Sequence, residues 1–436
     1  MPGKKKKPAN ASVNIYGHHN GSFKSARFNL GLFSNIYQLE GIGINSLWSI
    51  TQNESKGIQL SGLGNMSGSN QAGLQFSGLA NITGGNASGV SGSGLLNIVA
   101  MKSNALLVSS INIVGEESNG LLIGGLLNIT GGNTRGMQVA GIGNVNVEDQ
   151  TGLAIGGLVN VAGKEMKGAQ ITTLLNISAD ETKGIQLAGL GNITIRQQGV
   201  QLSALSNIAA SEMKGIQLAG GTNIAMKVDK GIQLAAANMC MEELKGTQIG
   251  VGNYATEIKG AQLGIINICG GKVKGVQIGI INHSKDTSTV KIGLVNVNPT
   301  TRIQLLAYGG NTTKTNIAVR FRNRLFYTML GFGTHYLSLN KKFSGATFYR
   351  AGVHFPFRNN FDLSSDLGYY HIENFENESV KVPERMYALQ GRINLEYHPV
   401  SKFGIFASTG YGVTRHYNKN RVYEKKPIIE IGIILF

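Results

Sequence analysis

From about Gly57 to Asn296 one phrase of sixteen residues recurs, and its asparagines keep the beat. They fall at Asn65, Asn81, Asn97, Asn112, Asn128, Asn144, Asn160, Asn176 and Asn192. They continue at Asn207, Asn223, Asn238, Asn253, Asn267, Asn282 and Asn296. The phrase reads Gly-Ile-Gln-Leu-Ala-Gly-Leu-Gly-Asn-Ile at 184–193 and Gly-Ile-Gln-Leu-Ala-Gly-Gly-Thr-Asn-Ile at 215–224. A short fixed period means stacked units, each burying a face on the next. It also weighs against catalysis, because an array offers the same chemistry many times over.

Within a unit the apolar places are Ile185, Leu187, Leu190 and Ile193, with small residues at 188–189 and a variable polar stretch such as Ala-Asp-Glu-Thr-Lys at 179–183. This predicts a short alternating strand, a glycine-permitted bend, a second short strand and a solvent-facing turn. Toward the end the period slips to 14 or 15, mainly in the polar turn, where loops tolerate it. Units of 14–16 residues match the coil of a thin β-solenoid. The aliphatic places are then expected to form a narrow core.

Identical positions stack in such a coil. The asparagines form one column and Gln186, Gln201, Gln217 and Gln233 another, where side-chain amides can bond their neighbours above and below. A structural ladder is the expected role of Asn65, Asn81, Asn128, Asn144, Asn160, Asn176, Asn192, Asn207, Asn223, Gln186, Gln217 and Gln233. A row of amides that binds glycans is the sharper alternative. Prolines agree with continuous pairing: after Pro2 and Pro8 none occurs until Pro299, and ladder strands cannot spare a backbone N–H. Sixteen coils would span about 75 Å at a spacing near 4.8 Å.

Charge divides the chain in three. Residues 1–27 hold six basic residues and no acid, 28–300 hold 16 basic against 15 acidic, and 301–436 hold 18 against 9. The first segment, with Lys4 to Lys7 and the pair His18–His19, is expected to be a disordered tail, with attraction to anionic lipid as its functional reading. A near-neutral array offers no track for phosphates, so nucleic acid is not an expected partner. No apolar run reaches the roughly 18 residues of a transmembrane helix. A charged N-terminus without an apolar core behind it means a missing signal peptide or no export, and the rest of the chain favours the first. Cys240 and Cys269 lie two places after their repeat asparagines with one coil between them, about 9–10 Å apart on that spacing. That is too far for a disulfide.

At 301 the character changes. Residues 57–300 contain two aromatics, Phe76 and Tyr254, whereas the last 136 residues contain 23. From Arg385 to His398 one face reads Tyr387, Leu389, Gly391, Ile393, Leu395, Tyr397 and the other Ala388, Gln390, Arg392, Asn394, Glu396, His398. Phe361 to Tyr370 alternates likewise, with Asp362 and Asp366 on the polar face. Such apolar-out, polar-in strands mark a membrane β-barrel. Eight candidates lie near 302–311, 314–323, 324–337, 346–357, 360–373, 385–398, 402–416 and 427–436. Eight strands make a small barrel filled by its own side chains, so Arg392, Glu396, Asp362 and Asp366 are expected to form an interior ion-pair network. Short and long connections alternate, and short turns mark the periplasmic end. Both barrel termini, and the array, would lie there. Counting back by twos from Phe436 places Glu430 on the lipid face, an exception to the pattern.

An apolar last strand closing on Phe436 resembles the C-terminal signal of Gram-negative outer-membrane barrels. The units Gly-Val-Gln-Ile-Gly-Ile-Ile-Asn (275–282) and Lys-Ile-Gly-Leu-Val-Asn (291–296), leading into an aromatic β region, resemble the repeat-containing surface proteins of Bacteroidetes and spirochaetes. That resemblance implies an outer-membrane or surface location over 28–436 and no catalytic residues. Its surface label opposes the periplasmic placement.

The expected fold is therefore all-β: tail 1–27, solenoid-like array 28–300 and eight-stranded outer-membrane-type barrel 301–436. The expected function is a non-enzymatic anchor carrying an array for interaction or spacing. Its partners would be outer-membrane lipid or lipopolysaccharide, the barrel-assembly machinery through the strand ending at Phe436, and a protein or glycan ligand of unknown identity. One alternative is a single large pore with a membrane strand in each repeat. Another is a lipid-modifying barrel enzyme using Ser408 with His398 or His416. Gly-x-Gly fragments belong to the repeat, histidines lack metal spacing, and the variable turn lacks a per-coil aspartate for calcium. No cofactor, metal or catalytic site is expected.

Overall fold

The computed structural model describes residues 12–14, 25–287, 290–339, 343–358, 360–376, 383–418 and 420–436. The expected tail falls largely outside them, including Lys4 to Lys7 and His18–His19. About four-fifths of the described residues are strand; the sole helical element among them is a 3-10 turn at Leu337–Leu339. The chain forms two compact units, Met1–Met241 and Glu242–Phe436. The second unit thus holds the last coils together with the barrel.

In the first unit the coils pair in parallel and in register. Lys183, Gly184, Ile185, Gln186 and Leu187 lie beside Lys167, Gly168, Ala169, Gln170 and Ile171, one period earlier. Where the period is 15, the missing residue comes out of the polar turn: Thr194 pairs with Ser178, but Arg196 already pairs with Glu181. The recurrent glycine answers to two constraints. Gly184 has φ 138°, and a Cβ there would lie 2.0 Å from the Gly168 carbonyl oxygen. Only glycine tolerates both.

The inside and outside of the coil are reversed from expectation. Ile185, Leu187, Leu190 and Ile193 are 49, 42, 46 and 37% exposed, whereas Gln186 and Asn192 are fully buried. No narrow aliphatic core exists at these positions. The interior is built from amides with small residues such as Ala188 and Thr194, because stacking gives each amide its partners and removes the cost of burying it.

The asparagine column runs unbroken through the first unit from Asn65. Each Nδ2 donates to the Oδ1 one coil later, as in Asn176 to Asn192 at 2.9 Å, Asn192 to Asn207 at 2.8 Å and Asn207 to Asn223 at 3.0 Å. Asn65, Asn81, Asn97, Asn112, Asn128, Asn144 and Asn160 continue the same chain of bonds. The second proton goes to a backbone carbonyl of the following coil, Leu187 in the case of Asn176. That bond sets which way the amide points. The glutamine column donates the other way: Gln186 to Gln170, Gln201 to Gln186, Gln217 to Gln201 and Gln233 to Gln217, at 2.8–2.9 Å. It is also interrupted. Leu107 and Leu122 occupy its places and pack with Ala87, Val99, Ala105 and Val114.

In the second unit the same columns run through Asn253, Asn267, Asn282 and Asn296 and through Gln248, Gln262 and Gln277. Lys291 takes the next glutamine place. Cys240, in the first unit, and Cys269, in the second, are buried and form no disulfide.

Eight antiparallel strands then close a barrel. They are β1 (Arg302–Gly310), β2 (Thr313–Arg322), β3 (Phe326–Tyr336), β4 (Ser344–Arg358), β5 (Phe361–Asn374), β6 (Arg385–Val400), β7 (Phe403–His416) and β8 (Val422–Leu435). β8 pairs with β1 to complete the ring. Arg302 lies opposite Arg322 and Leu435 opposite Phe403, so the barrel's first and last strands begin and end at the short-turn rim.

The single wide pore is excluded by this topology. The repeats pair in parallel as coils, whereas an antiparallel barrel closes with eight strands from 302 onward.

Candidate functional site

The barrel interior is the first place to look for chemistry. Arg392, Glu396 and Asp366 are buried inside, with Asp362 near one rim. Arg320 grips Glu396 with two bonds of 2.7 and 2.9 Å. Arg350 binds Asp366 at 2.9 and 2.6 Å, and Arg322 pairs with Asp362. Tyr327 donates its hydroxyl to Asp366, and Asn394 donates to the same carboxylate. Below this layer Tyr308, Phe348, Phe406 and Tyr370 pack edge-on or stacked. Arg392 lies 5.0 Å over the Tyr370 ring.

Glu430 belongs to this network, which corrects its expected lipid-facing position. It is buried and receives Arg392 at 3.0 and 2.9 Å and Arg350 at 3.4 Å. In β8 the inward residues are Ile428, Glu430 and Ile434, while Ile429, Ile431, Ile433 and Leu435 face out. Counting by twos from Phe436 therefore follows the inner face. Phe436 itself lies past the end of β8, its amide bonded to the Lys402 carbonyl and its ring 6.0 Å from His398. Sequence reasoning missed Arg320, Arg322, Arg350 and Glu430 as network members. Their inward parity within β2, β4 and β8 was the available signal.

Four arginines (320, 322, 350, 392) face four carboxylates (362, 366, 396, 430), so the lumen is charge-balanced and filled. The proposed nucleophile pairs do not assemble. Ser408 donates to Asn394 at 2.6 Å, and His416 lies eight residues along the same strand, about 27 Å away. His398 stands 3.4 Å from both Asp362 and Glu396, four residues beyond Asn394. Asp362, Glu396 and His398 bring three ligand atoms within 4.8 Å of one another. Both carboxylates, however, are already held by arginine.

The second place is where the last coil meets the barrel, inside the second unit. Tyr349 donates its hydroxyl to the Gly293 carbonyl at 3.0 Å, and Thr328 bonds the Leu294 carbonyl at 3.2 Å. Asn296 donates to Thr328, and Asn323 to the Asn296 carbonyl. In β4 the inward residues are Phe348 and Arg350, so Tyr349 points outward. The last coil is thus seated on the outer wall of the barrel beside the short turn at Asn323. A small pocket there is lined by Lys291, Ile292, Phe326, Tyr349 and Val353. Burial pushes the Lys291 ammonium down to about 8, with Asp286 opposing the shift.

The third is the coil surface. Both strands of a coil and the bend between them present the aliphatic columns; the polar turn carries ion pairs such as Lys164–Glu148 at 2.9 Å and Arg196–Asp180 at 2.8 Å.

No family model and no curated protein matches the chain. Among solved structures it is similar to the N-terminal β-barrel domain of OprF from Pseudomonas aeruginosa, at 14% identity over 30% of this chain and 93% of that one, with a TM-score of 0.22. It is also similar to Neisserial surface protein A, at 10% identity over 30% of this chain and 92% of that one, with a TM-score of 0.22.

Proposed function

We propose that the protein is a non-enzymatic Gram-negative outer-membrane protein, in which the eight-stranded barrel is the anchor and the coils serve spacing or interaction. The observation that carries this reading is the polarity of the barrel wall. Leu363, Leu367, Leu389, Ile393, Ile429 and Ile431 face outward and exposed, while every charged partner of the network is turned in. Exposed aliphatics at that density suit hydrocarbon and not water. Outer-membrane lipid is then the partner of the wall, and the assembly machinery would engage the strand that ends beside Phe436.

The coils belong on the periplasmic side. At one rim all three connections, 323–325, 359–360 and 401–402, are short; at the other, 311–312 is short and 337–343, 375–384 and 417–421 are longer, and the rim of uniformly short turns marks the periplasmic side. The last coil is seated at the short-turn rim. Protease added to intact cells should leave the coils whole; cleavage within 57–296 on intact cells, with the outer membrane sealed, sinks this placement. Fractionation into the outer membrane, with a folded form that runs faster before heating on SDS gels, tests the anchor itself.

A further inference from the structure

We infer that the aliphatic surface of the coils is covered by lipid hydrocarbon and does not stand free in water. The inference rests on the membrane reading of the barrel.

Three observations carry it. The first is the reversed coil. Amides fill the interior, and the side chains that a soluble solenoid would bury are outside, repeated in every period. A few coils together exceed the apolar patch of about 300–600 Å² that a monomeric soluble protein shows. The second is amphipathicity. The aliphatic columns take the outward positions of both strands of a coil and the bend between them, while lysines, glutamates and arginines pair along the polar turn. An element with one apolar and one charged side lies in the plane of an interface.

The third is continuity inside the second unit. The last coil bonds to Tyr349 and Thr328 on the outward side of the barrel wall, the side that faces lipid in the proposed anchor. Ile278, Ile280, Ile281 and Ile292 are exposed on these coils, and Ile292 borders Phe326 and Val353 of the wall. The hydrocarbon that covers the wall also reaches this surface. The same columns with the same exposure run through the first unit, so the inference covers the coils of both.

Lipid fits this surface better than a protein partner. Protein hot spots draw on Trp, Tyr and Arg in pockets, with Leu and Val under-represented. These columns are Ile, Leu and Val, with Phe76 and Tyr254 the only aromatics between 57 and 300.

Spin labels on the full chain test the inference. In a Cys240→Ala, Cys269→Ala background, a single nitroxide is placed at Leu187→Cys, Ile278→Cys, Lys183→Cys, Lys259→Cys or Leu389→Cys. Each protein is reconstituted in phosphatidylethanolamine and phosphatidylglycerol vesicles. Collision with oxygen and with a water-soluble nickel chelate is then measured for each label. Labels at 187 and 278 should match the barrel-wall label at 389, with an oxygen-to-nickel ratio several-fold above those at 183 and 259. Nickel access at 187 or 278 equal to that at 183, with 389 still in lipid, overturns the inference and leaves the anchor intact. Low collision with both reagents at 187 or 278 means a protein covers the surface and also overturns it. Nickel access at 389 removes the membrane reading and this inference together.

Discussion

Arg392 and Glu430 meet inside the barrel across β7, with Nε and Nη2 3.0 and 2.9 Å from the two carboxylate oxygens. Both side chains are almost wholly buried. Breaking such a pair leaves a charge with no water to turn to, whereas replacing both members with apolar groups of similar volume is close to neutral. Glu430→Ala should cost about 3–5 kcal/mol, and the double change Arg392→Met, Glu430→Leu should restore most of that loss. The urea midpoint of the fast-migrating folded band reads both. A double variant as weak as the single one would show that the pair is not an isolated couple.

The asparagine column should be sensitive one residue at a time. Asn192→Ala strands the Nδ2 donor of Asn176 and the Oδ1 acceptor of Asn207. Unsatisfied buried groups cost about 1–3 kcal/mol each. Proteolysis or hydrogen exchange should report local opening of the neighbouring coils. Ile193→Ala, on the exposed side, should open them far less.

Two glycines make a matched pair. Gly184→Ala places a methyl 2.0 Å from a carbonyl oxygen at φ 138° and should be strongly destabilising. Gly252→Ala meets nothing within 4 Å and should be neutral, or stabilising by up to about 1 kcal/mol through the unfolded chain. Urea unfolding of the two variants side by side checks the contrast.

Lys291 gives the last coil a pH signature. Its folded value of about 8 lies below the ordinary 10.5, so the fold prefers the neutral amine. The penalty of the buried ammonium is fully present below pH 8 and is relieved as pH rises from 8 toward 10.5. Lys291→Gln, which extends the column ending at Gln277, should remove that rise. Below pH 8 it should be more stable than the parent by about 1–2 kcal/mol, after allowance for solvent at the open coil end. Parallel stability curves between pH 7 and pH 10, without convergence, would refute the assignment.

A filled lumen should not conduct. With four arginines against four carboxylates and an aromatic layer below them, the reconstituted protein should give no steady channels in planar bilayers. Stepwise conductance would mean the network opens.

Much of this architecture was legible in the residues, and the failures share one cause. Period and parity showed which residues share a face: the coil repeat, the eight strands and the inward set Asp362, Asp366, Arg392 and Glu396 all follow from counting. Counting does not say which face is inside. Ile185 and Leu187 look like core and Gln186 looks like surface until the coils stack, because only the next coil supplies the amide its partners. Glu430 failed in the same way. Parity taken from Phe436 was sound, but the side assigned to it was reversed, since that residue lies beyond the strand and does not report where the wall faces.

The two amide columns donate in opposite directions, asparagine toward the next coil and glutamine toward the previous one. Aligned amide dipoles add head to tail, as they do along a helix, so a single column would carry a fixed partial charge at each end and a dipole moment that grows with every coil. Where both columns run, from Gln170 to Gln233, they oppose one another. Gaining or losing a whole coil inside that stretch then leaves the net dipole almost unchanged, so coil number there meets no electrostatic limit.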